Sequence, residues 1–213
     1  VRGLSEDDYY WVCGYANNQH KIEDDIPDDP KKSSFYMAMQ QSEGVLLCLD
    51  KLATPFNRIW CCFEEAMIVE GQTLLLDVAT VVDKNAVVLT DGFVEKDTRD
   101  GEEYALENKR ERESGFPLEL LEKGYQIDIR NADSCHQADK RRILNTIAGN
   151  VPPSELDVKE PDLTEEAFTR VNKKLRSIFA EAASRKAAEA GRIGSVIQIL
   201  HEDSYREKLT LNL

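Results

Sequence analysis

Residues 43–67, E-G-V-L-L-C-L-D-K-L-A-T-P-F-N-R-I-W-C-C-F-E-E-A-M, decide how the rest of the chain is read. Residues 45–49 are a short apolar run ending at Asp50, the pattern of a strand buried on both faces of a parallel sheet. A Thr-Pro loop follows. Thr54 suits a helix N-cap and Pro55 the first helical position. Beyond them Ile59, Phe63, Ala66 and Met67 fall on one helical face, so the stretch predicts a strand–loop–helix unit. Open α/β sheets bind ligands just beyond the carboxyl ends of their strands, and Asp50 and Glu64 are expected near that edge.

Upstream, residues 9–16, Y-Y-W-V-C-G-Y-A, are aromatic and β-branched and predict a strand ending at Asn17-Asn18-Gln19-His20. Residues 21–34 read as an exposed loop and 35–41 as a short helix. Downstream, 73–82 and 86–89 read as strands. The second closes at Thr90-Asp91-Gly92, which puts Asp91 on the same sheet edge as Asp50. Residues 95–114 are dominated by charge and predict a mobile loop or an exposed helical turn. A helix over 117–123 stopped by Gly124, a strand over 125–129 and a helix over 139–148 stopped by Gly149 complete the pattern. Strands alternating with helices imply a parallel sheet with right-handed crossovers. In it 10–16, 45–49 and 73–82 run parallel, with 45–49 central.

The expected organisation is an α/β domain over 1–150, a linker over 151–163 opened by Pro152-Pro153, and a helical extension over 164–213. In the extension Phe168, Val171, Leu175, Ile178 and Ala182 form an amphipathic stripe that packs on the sheet domain or on sequence beyond this chain. Gly191 breaks that helix and 193–200 reads as a second, shorter one. Residues 209–213, L-T-L-N-L, hint at a leucine-rich repeat opening a further domain.

The 213 residues are 41% hydrophobic and 31% charged, as in a soluble globular chain, and carry a formal net charge of −13. That balance offers no excess of Lys and Arg to neutralise phosphates, which argues against nucleic acid and against anionic membrane surfaces. No apolar run approaches the roughly 20 residues of a membrane span, and no basic-then-apolar leader opens the chain. Five cysteines without framework spacing suit a reducing compartment, so a cytoplasmic location is expected. A chain opening on Val1 rather than Met reads as part of a longer protein.

Trp60-Cys61-Cys62-Phe63-Glu64 resembles the W-C-x-x-E element of TIR (Toll/interleukin-1 receptor-like) domains, which opens the helix after the third strand of a flavodoxin-like sheet. Residues 35–50 fit the same family, where a short helix and an apolar strand lead into that element. Residues 10–20 look like the second strand of a divergent TIR-like branch of algae and other protists, and 127–147 like its last strand and helix. The S-H-x-W motif usual on that branch's first strand is missing, as if that strand lay outside this chain. The resemblance covers about residues 8–149. It implies a flavodoxin-like, TIR-like fold lacking its first strand.

In NAD-cleaving TIR domains the glutamate four residues after the Trp acts on the nicotinamide ribose, and here that position is Glu64. A carboxylate there can bind a hydroxyl or stabilise oxocarbenium charge. The plainer reading puts Glu64 and Glu65 on an exposed face, paired with Arg58 or a lysine. Asn17, Asn18, Gln19 and His20 read equally as ligand contacts or as a turn. With Asp50 and Trp60, the residues Asn17, Gln19 and His20 make up the candidate NAD-binding set, although Trp60 reads first as core. Adjacent Cys61 and Cys62 point about 100° apart on a helix, so they do not share a metal, and no metal site is expected. Two functions follow. One is a signalling or scaffold module acting through domain–domain contact or self-association, with no required cofactor. The other is an NAD nucleosidase using Glu64. The first is favoured, because only one catalytic feature is visible.

Overall fold

The computed structural model describes residues 1–16, 27–71, 73–192 and 194, with backbone alone at 13 and 14. Helix α1 (Cys13–Ala16) is a single turn, and α2 (Ser34–Met39) starts where the Ser33 hydroxyl accepts a hydrogen bond from the Tyr36 amide. Strand β1 (Gly44–Cys48), a 3-10 turn (Thr54–Asn57), helix α3 (Ile59–Gly71) and strands β2 (Leu75–Val82) and β3 (Asn85–Leu89) follow. The remainder is helical, with α4 (Glu95–Thr98), α5 (Ala105–Glu113), α6 (Leu118–Tyr125), α7 (Gln137–Ala148) and the long α8 (Glu166–Glu189). The architecture is mixed α/β. None of the described helices is long and apolar enough to cross a membrane.

The strand order is β1-β2-β3. Strands β1 and β2 are parallel, from Gly44 opposite Leu75 to Cys48 opposite Ala79, as the strand–helix–strand reading requires. Strands β2 and β3 are antiparallel, which corrects the all-parallel expectation. Only Asp83 and Lys84 separate them, both left-handed at φ 49° and 67°. Two such residues close a tight hairpin, whereas a parallel return needs a crossover of about a dozen residues. Asp-Lys carries no glycine, so the turn gave no sequence signal.

Two further strand expectations fail. Residues 9–12 are irregular and 13–16 are the helical turn α1; Trp11 packs edge-on against Phe35 instead, with ring centroids 5.6 Å apart. Residues 125–129 are not a strand either, because side chains of α8 take over the ladder's role. Asn172 Oδ1 accepts from the Ile129 amide at 3.0 Å, and Arg176 Nε donates to the Ile127 carbonyl at 2.8 Å. Among the described residues β2 is therefore central and β1 is at the edge of the sheet, with Leu46 53% exposed.

The core lies between one face of the sheet, with Leu76 and Val78, and helices α3, α6, α7 and α8. The α8 stripe is buried as its spacing demands, Ile178 being half-buried, and it packs on α6, α3 and α7. Gly124 is inside α6 rather than at its end. A Cβ there would stand 2.5 Å from the Phe179 ring, so this glycine permits helix contact instead of stopping a helix. Gly149 does end α7, at φ 74°. The stretch 151–163 lies along α7, where Asn145 Nδ2 donates to the carbonyls of Leu156 at 2.9 Å and Lys159 at 2.7 Å.

Candidate functional site

Helix α3 is apolar around nearly its whole circumference, which is the signature of a buried helix rather than a surface one. Ile59, Cys62, Phe63, Ala66 and Ile68 are buried, and only Gly71 at its end is exposed. Of its three glutamates, Glu70 near the end pairs with Arg170 and Lys174, while Glu64 and Glu65 are turned toward protein. Glu65 is 2% exposed and neither carboxyl oxygen has a hydrogen-bond partner. Burial, reinforced by the neighbouring Glu64, pushes its carboxyl up to about 8. Glu64 is half-buried and is pushed up to about 7 by burial, with Arg58 acting against the shift. The exposed, ion-paired face expected for this pair is corrected on that ground, since Glu65 in particular has no solvent.

Trp60, one turn before Glu64, is half-buried between rings. It stacks on Phe35 at 5.7 Å and meets Phe63 edge-on at 6.0 Å, while its indole N–H donates to Asp139 Oδ2 at 3.4 Å. Its polar handle is engaged inside the protein, as the core reading of this residue requires. Cys62 is buried, its Sγ donating to the Phe56 carbonyl at 3.3 Å, and burial raises its thiol well above the ordinary range. Such a thiol is an inert core group.

Asp50 occupies the expected place after β1, but its carboxylate is engaged locally. It accepts from the Thr54 amide at 2.8 Å and the Thr54 hydroxyl at 2.6 Å, and these bonds lower its pKa. Thr54 is therefore not an N-cap: it opens the 3-10 turn, and Arg58, in extended conformation, separates that turn from α3. No hydrogen bond or ion pair joins Asp50 to Glu64 among the described residues. Asn17, Asn18, Gln19 and His20 lie outside the described residues. Asp91 is not on Asp50's edge: because β3 runs antiparallel, it stands at the opposite end of the sheet, where its amide donates to Asp77 Oδ1 at 2.9 Å.

What sequence reasoning missed is the polar network at that opposite end. Arg2 grips Asp77 through two bonds of 2.8 and 2.6 Å. Arg112 does the same to buried Asp97 at 2.8 and 2.6 Å, and Lys109 Nζ donates to buried Glu113 at 2.8 Å. Asp97, Lys109, Arg112 and Glu113 belong to the charged stretch expected as a mobile loop or an exposed helical turn; it is helical, and paired ions hold α4 on α5, which packs against β3. The Lys109–Glu113 spacing of four was legible as a helical pair, whereas Asp97–Arg112 joins two elements and leaves no local pattern.

Chemically, Glu64 is an acid that titrates near neutrality, Glu65 is sealed, and Asp50 is a turn cap. Among the described residues no group of three or more His, Cys, Asp or Glu is placed to hold a metal ion. No family model, curated protein or solved structure matches the chain.

Proposed function

We infer that this chain is a protein-interaction module of the TIR-like, flavodoxin-like kind, acting in the cytoplasm through domain–domain contact rather than through chemistry. The observation that carries the reading is a set of exposed apolar side chains on one face of the sheet. Leu46, Leu75 and Val81 share that face by register and alternation, and they are 53%, 43% and 64% exposed, while Asp77 and Ala79 between them are buried and Arg2 binds Asp77 there. Large apolar side chains left in solvent on both sides of that buried centre support a contact surface. The half-buried position of Glu64 and the capping role of Asp50 support the same reading, because among the described residues no hydrogen bond or ion pair brings these two carboxylates together.

The test is photo-crosslinking in cells, with a photoreactive side chain at Val81 and, as a control, at exposed Lys96. Adducts specific to Val81 are expected. Adducts absent from Val81, or no more frequent there than at Lys96, refute the reading. A second reading, NAD cleavage, rests on one observation, the Glu64 carboxyl raised to about 7 one turn from Trp60. Nicotinamide release by full-length protein that is lost in Glu64→Ala, with the fold intact, would establish the enzyme and displace the module reading.

A further inference from the structure

Asp77 is a carboxylate on β2, on the sheet face that carries Leu46, Leu75 and Val81, and in register it stands beside Leu46. A carboxylate set among apolar side chains and withdrawn from water is costly unless a cation answers it. The cation here is Arg2, which lies 75 residues away in sequence. Its Nε and Nη2 donate to Oδ2 and Oδ1 at 2.8 and 2.6 Å, and Nη2 also donates to the Asp91 carbonyl at 2.6 Å. The segment that brings Arg2 there is held by little else. Every residue from Gly3 to Val12 is exposed. Among the described residues the bonds within 3–10 are local: the Asp7 amide donates to the Ser5 hydroxyl at 3.2 Å and the Asp8 amide to the Ser5 carbonyl at 3.3 Å. The Trp11 ring on Phe35 is the next contact with the body of the fold. Gly3 has φ 70°, with no atom within 4 Å of the place its Cβ would take, so the chain turns directly after Arg2 in a conformation that suits glycine. Glu6, Asp7 and Asp8 follow. On a chain of net charge −13 they work against docking, and Arg2 is the one cation of residues 1–12 that offsets them.

We propose that residues 1–12 are an autoinhibitory strap with Arg2 as its latch, seated on the face through which this chain meets its partner. The proposal rests on the interaction-module reading and adds its regulation and the partner's chemistry. When the strap lifts, Asp77 keeps the Asp91 amide on Oδ1 at 2.9 Å and loses both bonds from the guanidinium. A carboxylate left in that state calls for another cation, and a guanidinium fork fits it in two bonds as Arg2 does. Leu46 beside Asp77, and Leu75 two residues along the same strand, set what flanks that cation. The partner is therefore a segment with an arginine between apolar residues, and Arg2 holds its place until it arrives. A strap anchored through one partly exposed ion pair is weak enough to exchange.

Two variants of the full chain lift the strap by different means. Arg2→Met removes the latch. Gly3→Val meets no neighbouring atom and strains only the positive φ beside it. Spin labels at Leu4→Cys and Lys96→Cys, in a background with exposed Cys48 and Cys135 changed to Ser, should give one narrow distance distribution in the parent and a broad one in either variant. Photo-crosslinking at Val81 should yield several-fold more adducts in both variants than in wild type. An acetyl-Leu-Arg-Leu-amide peptide, followed by NMR titration, should bind both variants about tenfold or more tightly than wild type. Its neutral citrulline counterpart should show no such gain, and Asp77→Asn added to Arg2→Met should abolish it. A distance distribution that neither variant broadens overturns the strap, as do Val81 adduct yields equal to wild type or equal affinity for the arginine and citrulline peptides. Each of these leaves the module reading to stand on its Val81 adducts. Adducts absent from Val81 in wild type and both variants refute the module reading itself.

Discussion

Replacing Glu65 with methionine should make this protein more stable, by an amount the buried carboxyl itself sets. Glu65 is enclosed within α3's surroundings with both oxygens unpartnered, and its carboxyl titrates at about 8 instead of the ordinary 4.5. The unfolded chain therefore releases this proton near pH 4.5, while the folded chain holds it up to about pH 8. The sign follows directly. Below pH 4.5 ionisation of the group costs nothing, stability falls as pH rises toward 8, and it levels off above that, where both states are ionised. Each pH unit in the window costs about 1.4 kcal/mol, so the loss at pH 7 is about 3 kcal/mol.

Glu65→Met removes the ionisable group and fills similar volume with apolar atoms. It should recover about 3 kcal/mol at pH 7, which is about 6–12 °C in Tm for a chain of this size. Glu65→Gln should recover most of it, since the amide is left as unpaired as the neutral acid was. The assay is urea denaturation at pH 5, 6, 7 and 8 for the three proteins. Wild-type stability should slope downward across the series, and both variants should make the slope shallower, with Glu64 keeping its own share up to about pH 7. A wild-type profile that is level from pH 5 to 8, or a methionine variant less stable at pH 7 by more than about 1 kcal/mol, would refute the burial argument.

The remaining predictions concern packing, backbone satisfaction and acid stability. Gly124→Ala should cost about 1–3 kcal/mol by urea denaturation, because its Cβ meets the Cγ of the Phe179 ring at 2.5 Å, and in a Phe179→Ala background, which lacks the clashing Cγ and Cδ atoms, the same change should cost little. Asn172→Ala strips the buried Ile129 amide of its acceptor and should cost about 2 kcal/mol, with an unchanged denaturant slope. Arg130 first, and Asn172 after it, hold the Asp128 carboxyl down at about 2. This group stabilises the fold above its ordinary 3.8, and that contribution should fade as pH falls from there toward 2. Arg130→Met should remove this part of the acid transition, as followed by circular dichroism.

The elements legible in the sequence were those whose cause is local. The apolar run of β1, the glycine ending α7 and the stripe from Phe168 to Ala182 each leave a periodic or capping signal. The two false strands had the right composition and failed on pairing. Residues 9–16 pair with no strand among the described residues, and Asn172 and Arg176, more than 40 residues away, bind the Ile129 amide and the Ile127 carbonyl. The hairpin reversed β3 through two residues that carry no turn signature, and that reversal moved Asp91 to the far end of the sheet. No local pattern reports such long-range partners.

The same distinction bears on the candidate site. W-C-x-x-E correctly marked a helix following a strand, yet the environment of Glu64 is set by what packs around α3, which no spacing of four describes. A wholly apolar circumference was the available warning. With Ile59, Cys62, Phe63, Ala66, Ile68 and Val69 distributed around it, α3 offers its middle turns little polar surface, and only Glu70 near its end meets cations, Arg170 and Lys174. Glutamates on such a helix either carry a function that repays their desolvation or remain protonated at a cost to stability. Glu64 and Glu65 divide along that line. The first keeps partial access to solvent and titrates near neutrality, so it remains the acid to test against NAD. The second is sealed, has no partner, and answers to stability alone. A Glu65 variant that gained stability while leaving Glu64-dependent nicotinamide release unchanged would separate the two roles on one helical turn.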